Sequence, residues 1–402
     1  MAALEGVRVV DLTRFLSGPT ATMMLADLGA DVVKIEGLPG GDPARESGPF
    51  VGQESVYYLA SNRNKRSIAL DLRNPLGLKL CLRLVDTADV FVHNFRPGTV
   101  EKMGLGAAEL LQRNPRLIYT SISGFGTRPP GDELPGFDQT AQAMSGLMSV
   151  TGTEETGPLR VGIAIADSAT GVFAAVGVAA ALYERERTGR GGIVESSLME
   201  AMLSLMSYQA QKYLSLGLVA ESVGNDHPIM FPQGTFQTGE GAITLACGSE
   251  RMWSRLCAAL GHNELASDER FSDNAERMAH RAELRRILED LLAERTADAW
   301  IPIINAVGVP CGPVLDLRQA LEHPITAALG MVGSISHPTL GPMKVLGQGV
   351  KVGGRDDPWL HSAPPLLGQD TDDVLRELGL PDQEIRDLAA QGVIRQMAKD
   401  GL

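Results

Sequence analysis

Cations are in short supply in this chain: 36 lysines and arginines stand against 49 aspartates and glutamates, a formal charge of −13. Gripping a nucleic-acid backbone takes the opposite surplus, to displace counterions from phosphates, so no nucleic-acid partner is expected. Cysteine is sparse too. The four, Cys81, Cys247, Cys257 and Cys311, include no CxxC pair, which speaks against a zinc site or a disulfide frame and for buried thiols in a reducing cytoplasm. Long apolar runs are missing. The uncharged stretch from Ser168 to Tyr183, closed in by Asp167 and Glu184, is short for a membrane span and reads as a buried helix. The opening Met1-Ala2-Ala3-Leu4-Glu5-Gly6 has neither a basic region nor an apolar one, so no secretory signal is visible and no membrane partner is expected. His93, His227, His262, His280, His323, His337 and His361 make no close pair with metal-ligand spacing. Each is expected at the surface or as a cap, and no metal is expected. A Walker A loop, HExxH and GxSxG are all absent. In Gly124-Phe125-Gly126-Thr127-Arg128-Pro129 a proline stands where a dinucleotide fingerprint needs its third glycine. P-loop, serine-hydrolase and dehydrogenase readings are therefore disfavoured.

What is present is a regular alternation over 402 residues, ample for two domains. Val7 to Leu12 is an apolar run of strand length. Gly18-Pro19 opens a helical pattern that stops at Gly29, and Asp31 to Glu36 is the next strand. Ser67 to Leu72 follows as a strand, then a helix capped by Asn74-Pro75 and running to Asp86, a strand from Asp89 to Phe95, a helix from Thr99 to Gln112, and a strand from Leu117 to Ile122. The fold class is therefore α/β, with a parallel, doubly wound sheet in a Rossmann-like large domain. Two long helical stretches, Ser168 to Arg187 and Leu198 to Leu216, flank Ile193-Val194-Glu195. Near Asn225 the texture changes: Gly234 to Thr238 and Ala242 to Ala246 flank Gly239-Glu240-Gly241, a hairpin signal, and polar helices run on to Val307. This gives a large domain over 1–224, a small α+β domain over 225–325, and a return to the large domain over 326–402.

Two features could carry chemistry. Arg63, Lys65, Arg66 and Arg73 surround the third strand, and Arg96 and Lys102 follow the strand ending at Phe95. Beyond the carboxyl ends of strands, where helix N-termini also favour anions, Arg96 and Lys102 suit a phosphate-bearing ligand; the competing reading is a solvated basic face. Asp167 closes the run Val161-Gly162-Ile163-Ala164-Ile165-Ala166 and opens a long helix. That is the place of an N-cap. In the same place, helix-end N–H groups would keep the carboxylate ionised among apolar neighbours, and such a carboxylate is a competent nucleophile toward an acyl group.

Several stretches resemble the family III CoA-transferases in order along nearly the whole chain. They are Leu4-Glu5-Gly6 through Asp11-Leu12-Thr13, Gly29 to Glu36, Asn64-Lys65-Arg66-Ser67-Ile68, Asn94-Phe95-Arg96-Pro97-Gly98, Ala166-Asp167, and Pro364-Pro365-Leu366-Leu367-Gly368. The resemblance implies an interlocked homodimer and a reaction in which Asp167 is catalytic. Its carboxylate attacks a thioester to give a mixed anhydride, and the returning thiolate forms an aspartyl-CoA thioester. Backbone N–H groups near a small-domain loop would steady the oxyanions. Coenzyme A enters as a substrate, with no tightly bound cofactor, and the positions implied to bind it are Leu16, Ser17, Leu70, Arg73, Asn94, Phe95, Arg96, Lys102 and Met103. The formyl-CoA:oxalate enzymes have a glutamine where this chain has Leu16 and an arginine where it has Gly37. Phe231-Pro232-Gln233-Gly234-Thr235 replaces their run of glycines, which argues against oxalate. The segment Gly48 to Ser55 with Tyr57-Tyr58 resembles the glutarate and hydroxymethylglutarate branch, which uses succinyl-CoA, and Arg160 is a candidate grip for a distal carboxylate. The related 2-methylacyl-CoA racemases need a second acid/base in a Gly-His-Asp segment; here it reads Gly136-Phe137-Asp138. A non-catalytic acyl-CoA-binding protein, with Asp167 only a cap, is the third reading.

Overall fold

The computed structural model describes residues 2–352 and 359–397. The chain forms two compact units, one of Met1–Leu147, Arg160–Gln211 and Ala327–Leu402, the other of Met148–Leu159 and Lys212–Thr326. Where the sequence suggests a cut at 224/225, this division falls within the helix Ser207–Leu216. The smaller unit also takes in the hairpin of Gly152–Thr153 and Gly157–Pro158, to which the Gly224 amide is hydrogen bonded.

The larger unit is built on a seven-stranded sheet in the order Gly192–Ser197, Ile118–Ser123, Val90–His93, Arg8–Leu12, Asp31–Gly37, Lys65–Leu70, Ile394–Arg395. All neighbours pair in parallel except the last, which runs antiparallel. In chain order the six parallel strands run 6-5-4-1-2-3. This is the doubly wound arrangement, whose two halves part company between Arg8–Leu12 and Val90–His93. Both faces are covered, as a parallel sheet requires. Along the first strand, Val10 and Leu12 point into a core with Leu80, Leu84 and Leu110, while Val9 points to the other side with Leu25, Ala174 and Val178. That alternation is the strand's two-residue period.

Several expectations need correction. The helix expected over Thr99 to Gln112 is two, Thr99–Lys102 and Ala107–Arg113, because Gly104 at φ +72° turns the chain between them. The stretch from Leu198 is likewise two helices, Leu198–Leu205 and Ser207–Leu216, parted where Ser207 takes φ +45°. The helix Ile165–Thr188 is not buried all round. Ala166, Thr170, Ala174, Val178 and Leu182 face inward at helical spacing, but Val172, Phe173, Val176 and Tyr183 are exposed. It is 24 residues and apolar enough to cross a membrane by composition alone; one side packs on Ser17–Asp27. His93 and His337 are buried rather than superficial. The basic cluster around the third strand is neutralised within the fold. Arg63 pairs with Asp27, Lys65 with Asp11 at 3.1 Å, Arg66 with Asp31 at 2.7 Å and Glu377 at 2.6 Å, and Arg73 with Asp71 at 3.0 Å.

The smaller unit carries an antiparallel sheet of Gln233–Gln237, Ala242–Ala246 and Cys311–Pro313. The hairpin read from the sequence is present, with Gly241 at φ +81° in its turn. Phe236, Trp253, Leu284, Leu288 and Trp300 fill a core between this sheet and its helices. The motif replacing the glycine run lies here: Phe231 is fully buried, and Gln233 begins the first strand.

Candidate active site

The crevice beyond the carboxyl ends of Arg8–Leu12 and Val90–His93 is where a doubly wound sheet offers backbone groups without strands to pair them. A buried ionic network shapes it. Asp11 accepts the amide of Thr13 at 2.8 Å and the hydroxyls of Thr13 and Thr22, both at 2.6 Å, besides Lys65. Burial would raise its pKa, yet Lys65, Lys34 and the two hydroxyls together pull it down to about 2. Lys34 Nζ reaches the Thr13 carbonyl at 2.8 Å and Asp42 at 2.9 Å, and Asp42 accepts the amide of Phe15 at 3.0 Å. From the neighbouring strand, Asn94 accepts the Arg14 amide at 2.8 Å and donates to the Arg14 carbonyl at 2.7 Å. The chain is thus held at five backbone groups of Thr13, Arg14 and Phe15 before Ser17 starts the helix Ser17–Asp27.

The helix Ile165–Thr188 brings in Asp167. It lies so close to Ser17–Asp27 that a Cβ on Gly171 would sit 2.7 Å from the Ser17 carbonyl oxygen. Asp167 is the third residue of that helix, not its cap. The cap comes from a distant residue: Asp138 Oδ1 accepts the amides of Ala166 at 2.8 Å and Asp167 at 3.4 Å. Its other oxygen accepts Gln142 Nε2 at 2.7 Å, and Gln142 Oε1 accepts the amide of Val161 at 2.9 Å. Asp138 is delivered by a close crossing of Gly136 on Gly124, where a Cβ on Gly124 would fall 2.5 Å from the Gly136 Cα. The expectation that helix-end donors keep Asp167 ionised is therefore overturned, because Asp138 takes those donors. Burial, with the Asp138 charge adding to it, raises the Asp167 pKa to about 6, and a hydrogen bond from Ser17 offsets only part of this. Tyr57 faces the same carboxylates; burial and the charges of Asp167, Asp138 and Asp42 push its hydroxyl up to about 12.

These groups surround one cavity of about 440 Å³, lined by Arg14, Phe15, Ser17, Tyr57, Asn94, Phe95, Arg96, Ile122, Gly124, Phe137, Asp167 and Leu198, among others. Of the positions singled out by sequence, the fold gathers Asp167, Ser17, Asn94, Phe95 and Arg96 around it. Leu16, Leu70, Arg73, Lys102 and Met103 lie outside its lining. Leu16 precedes the helix at Ser17, Leu70 is buried at the end of its strand, and Met103, partly buried, packs against the core. Arg73 and Lys102 are exposed, and so is Arg160, away from the cavity lining. Sequence reasoning missed Arg14, Tyr57 and Asp138. Asp138 was in view, but only as the neighbour of a missing histidine; nothing local marks it as the cap of a helix 27 residues on. Beside the cavity, His93 is neutral, burial taking its pKa down to about 4. Its Nδ1 accepts the amide of Phe95 at 3.3 Å and its Nε2 meets the Tyr119 hydroxyl at 2.9 Å. Among the described residues no histidine lines the cavity, and Phe137, which does, has its ring edge-on to Phe15 at 6.2 Å.

Comparison with known proteins agrees with this architecture. The sequence model of CoA-transferase family III matches residues 4–371. The succinyl-CoA:glutarate CoA-transferase of Homo sapiens is 38% identical over 395 residues, covering 98% of this chain and 90% of the human protein. The acetyl-CoA:oxalate CoA-transferase of Acetobacter aceti is 38% identical over 382 residues, covering 94% and 96%. Among solved structures, a CaiB/BaiF family protein from Brucella suis superposes with a TM-score of 0.82 at 36% identity, covering 94% of this chain and 99% of that one. With its sequence matched nearly end to end and its fold shared at that level, this chain belongs to the family III CoA-transferases.

Proposed function

We propose that this protein moves coenzyme A from an acyl-CoA to a free carboxylic acid, with Asp167 carrying first the acyl group and then CoA. The observation that supports this most is a carboxylate with a pKa near 6 at the wall of a cavity that no histidine among the described residues lines. At pH 7 such a group is still ionised by about ten to one, yet it is more basic, and so more nucleophilic, than a solvated aspartate.

The steps balance without an external acid or base. Asp167 Oδ attacks the thioester carbon, the C–S bond breaks, and CoA leaves as thiolate with a mixed anhydride behind it. The thiolate attacks the Asp167 acyl carbon of that anhydride, expelling the donor acid as carboxylate and leaving an aspartyl-CoA thioester. The acceptor carboxylate displaces the thiolate in turn, and the thiolate takes the acceptor's acyl carbon from the second anhydride, restoring Asp167. No proton moves in any of the four displacements. Racemisation, by contrast, needs a second proton-exchanging group, and Phe137 cannot serve.

Arg96, exposed in the cavity lining, suits the phosphates of CoA, and Lys102 is a second exposed cation of the same strand–helix connection. The names of the human and Acetobacter relatives favour diacids as substrates, and the human one favours succinyl-CoA as a donor. A homodimer accords with the exposed apolar side chains of the larger unit, and a cytoplasmic location with the unpaired cysteines. The test is transfer from succinyl-CoA to a panel of acids. Asp167→Ala should lower turnover by at least about a thousandfold while leaving CoA binding measurable; turnover retained within tenfold would reject the assignment.

A further inference from the structure

We infer that Arg14 is the group that receives a second carboxylate of the acid substrate, and so selects diacids. The inference rests on the reading of Asp167 given above and assigns the other end of the substrate.

Arg14 is a cation held ready with nothing to hold. Its backbone is fixed on both sides by Asn94. Its guanidinium lies 4.1 Å over the ring of Phe95, an arrangement that orients the plane and strips part of its water. Other arginines of the larger unit form close ion pairs: Arg45 with Glu36, Arg63 with Asp27, Arg66 with Asp31 and Glu377. Among the described residues the Arg14 guanidinium has neither a salt bridge nor a hydrogen-bonded side chain. Asp42 contributes charge at longer range, and that carboxylate is occupied by Lys34 and two amides. A half-buried guanidinium left unpaired in a cavity wall costs stability unless an anion arrives.

A rim position would serve the phosphates of CoA, but Arg14 sits on the first turn out of the sheet, in the same lining as Asp167, Ser17 and Tyr57. The anion that must come closest to Asp167 belongs to the acid. The reacting carboxylate itself is a poor partner for Arg14, because its charge is lost when the anhydride forms, and holding it would favour the ground state over the transition state. A second carboxylate keeps its charge throughout, so a guanidinium can hold it from acid to thioester. Arg160, the candidate offered by the sequence, is exposed and outside this lining.

The test compares diacids of two to six carbons with the monoacids that lack one carboxylate, as acceptors for the wild type, Arg14→Gln, Arg14→Lys and Asp167→Ala. The wild type should prefer the best diacid. Arg14→Gln should cut the diacid-to-monoacid ratio of kcat/KM by about 10- to 100-fold, and Arg14→Lys should keep part of it. The dissociation constant of free CoA, measured by calorimetry, should change less than threefold in either variant. No diacid preference in the wild type, an unchanged ratio in a folded Arg14→Gln or Arg14→Lys, or a tenfold loss of CoA affinity would each overturn the inference, the last assigning Arg14 to a phosphate. Transfer surviving in Asp167→Ala would instead remove the catalytic reading and leave the selectivity ratio to judge Arg14 by itself.

Discussion

At the scale of single residues the site is governed by how the helix N-terminus is shared out. A carboxylate at the start of a helix is ordinarily stabilised by the free N–H groups there. Here Asp138 occupies them, and Asp167 is left with a hydroxyl, a partly desolvated wall and a like charge beside it. Desolvation and the like charge act in the same direction, and the Ser17 hydroxyl opposes them only in part. The reaction needs the anion, so the acid limb of the kcat/KM profile should fall away below an apparent pKa near 6. Asp138→Asn keeps an oxygen for the two amides and removes the charge, so the limb should move down by about half a unit to one and a half units. A merely structural role for Asp138 would lower activity evenly at all pH values without moving the limb. The same shift has a sign in stability. A carboxyl whose folded pKa is raised favours the folded state most fully below its unfolded value near 4, and that contribution is lost as pH rises through about 6. The ionised nucleophile is therefore a cost the fold carries at neutral pH, and the groups that balance it lie elsewhere.

At the scale of elements the balance is visible in how Ser17–Asp27 and Ile165–Thr188 are packed. Their approach at Gly171 leaves no room for a methyl group, because the obstacle is the Ser17 carbonyl rather than a flexible side chain. Gly171→Ala should cost about 1–3 kcal/mol in urea unfolding. It should also lower kcat more than it raises KM, since the two helices carry Ser17 and Asp167. An unchanged kcat with reduced stability would show that the helices can part without disturbing the site. Much of this architecture was legible in the sequence: apolar runs of strand length punctuated by Gly18-Pro19, Gly29 and Asn74-Pro75 gave the strands and helices of the parallel sheet nearly in full. What stayed hidden was long-range. Lys65 and Arg63 read as free cations because their acids, Asp11 and Asp27, are 54 and 36 residues away in the chain. Asp138 was seen only as the neighbour of a missing histidine, because the helix amides it caps, those of Ala166 and Asp167, have no side-chain signature. Gly104 and Ser207 broke expected helices through backbone conformations that apolar periodicity does not encode.

For the molecule as a whole, the outer face of Ile165–Thr188 and the residues Leu203, Leu205 and Tyr208 leave large apolar side chains in water, the kind of exposure that marks an interaction surface. Covering them with a second copy is the reading proposed above. Sedimentation at micromolar concentration should give twice 42.8 kDa; a single 42.8 kDa species would remove it. The cavity, the unpaired Arg14 and the raised Asp167 then describe one device for passing an acyl group between a sulfur and an oxygen.

The most direct test is to catch the acyl group on the way. Incubated with succinyl-CoA and then quenched with hydroxylamine, the wild-type enzyme should carry a hydroxamate on Asp167, read by mass spectrometry of the peptide that contains it, and Asp167→Asn should carry none. Continued CoA transfer with no mark on Asp167, or a mark on another side chain, would contradict the account.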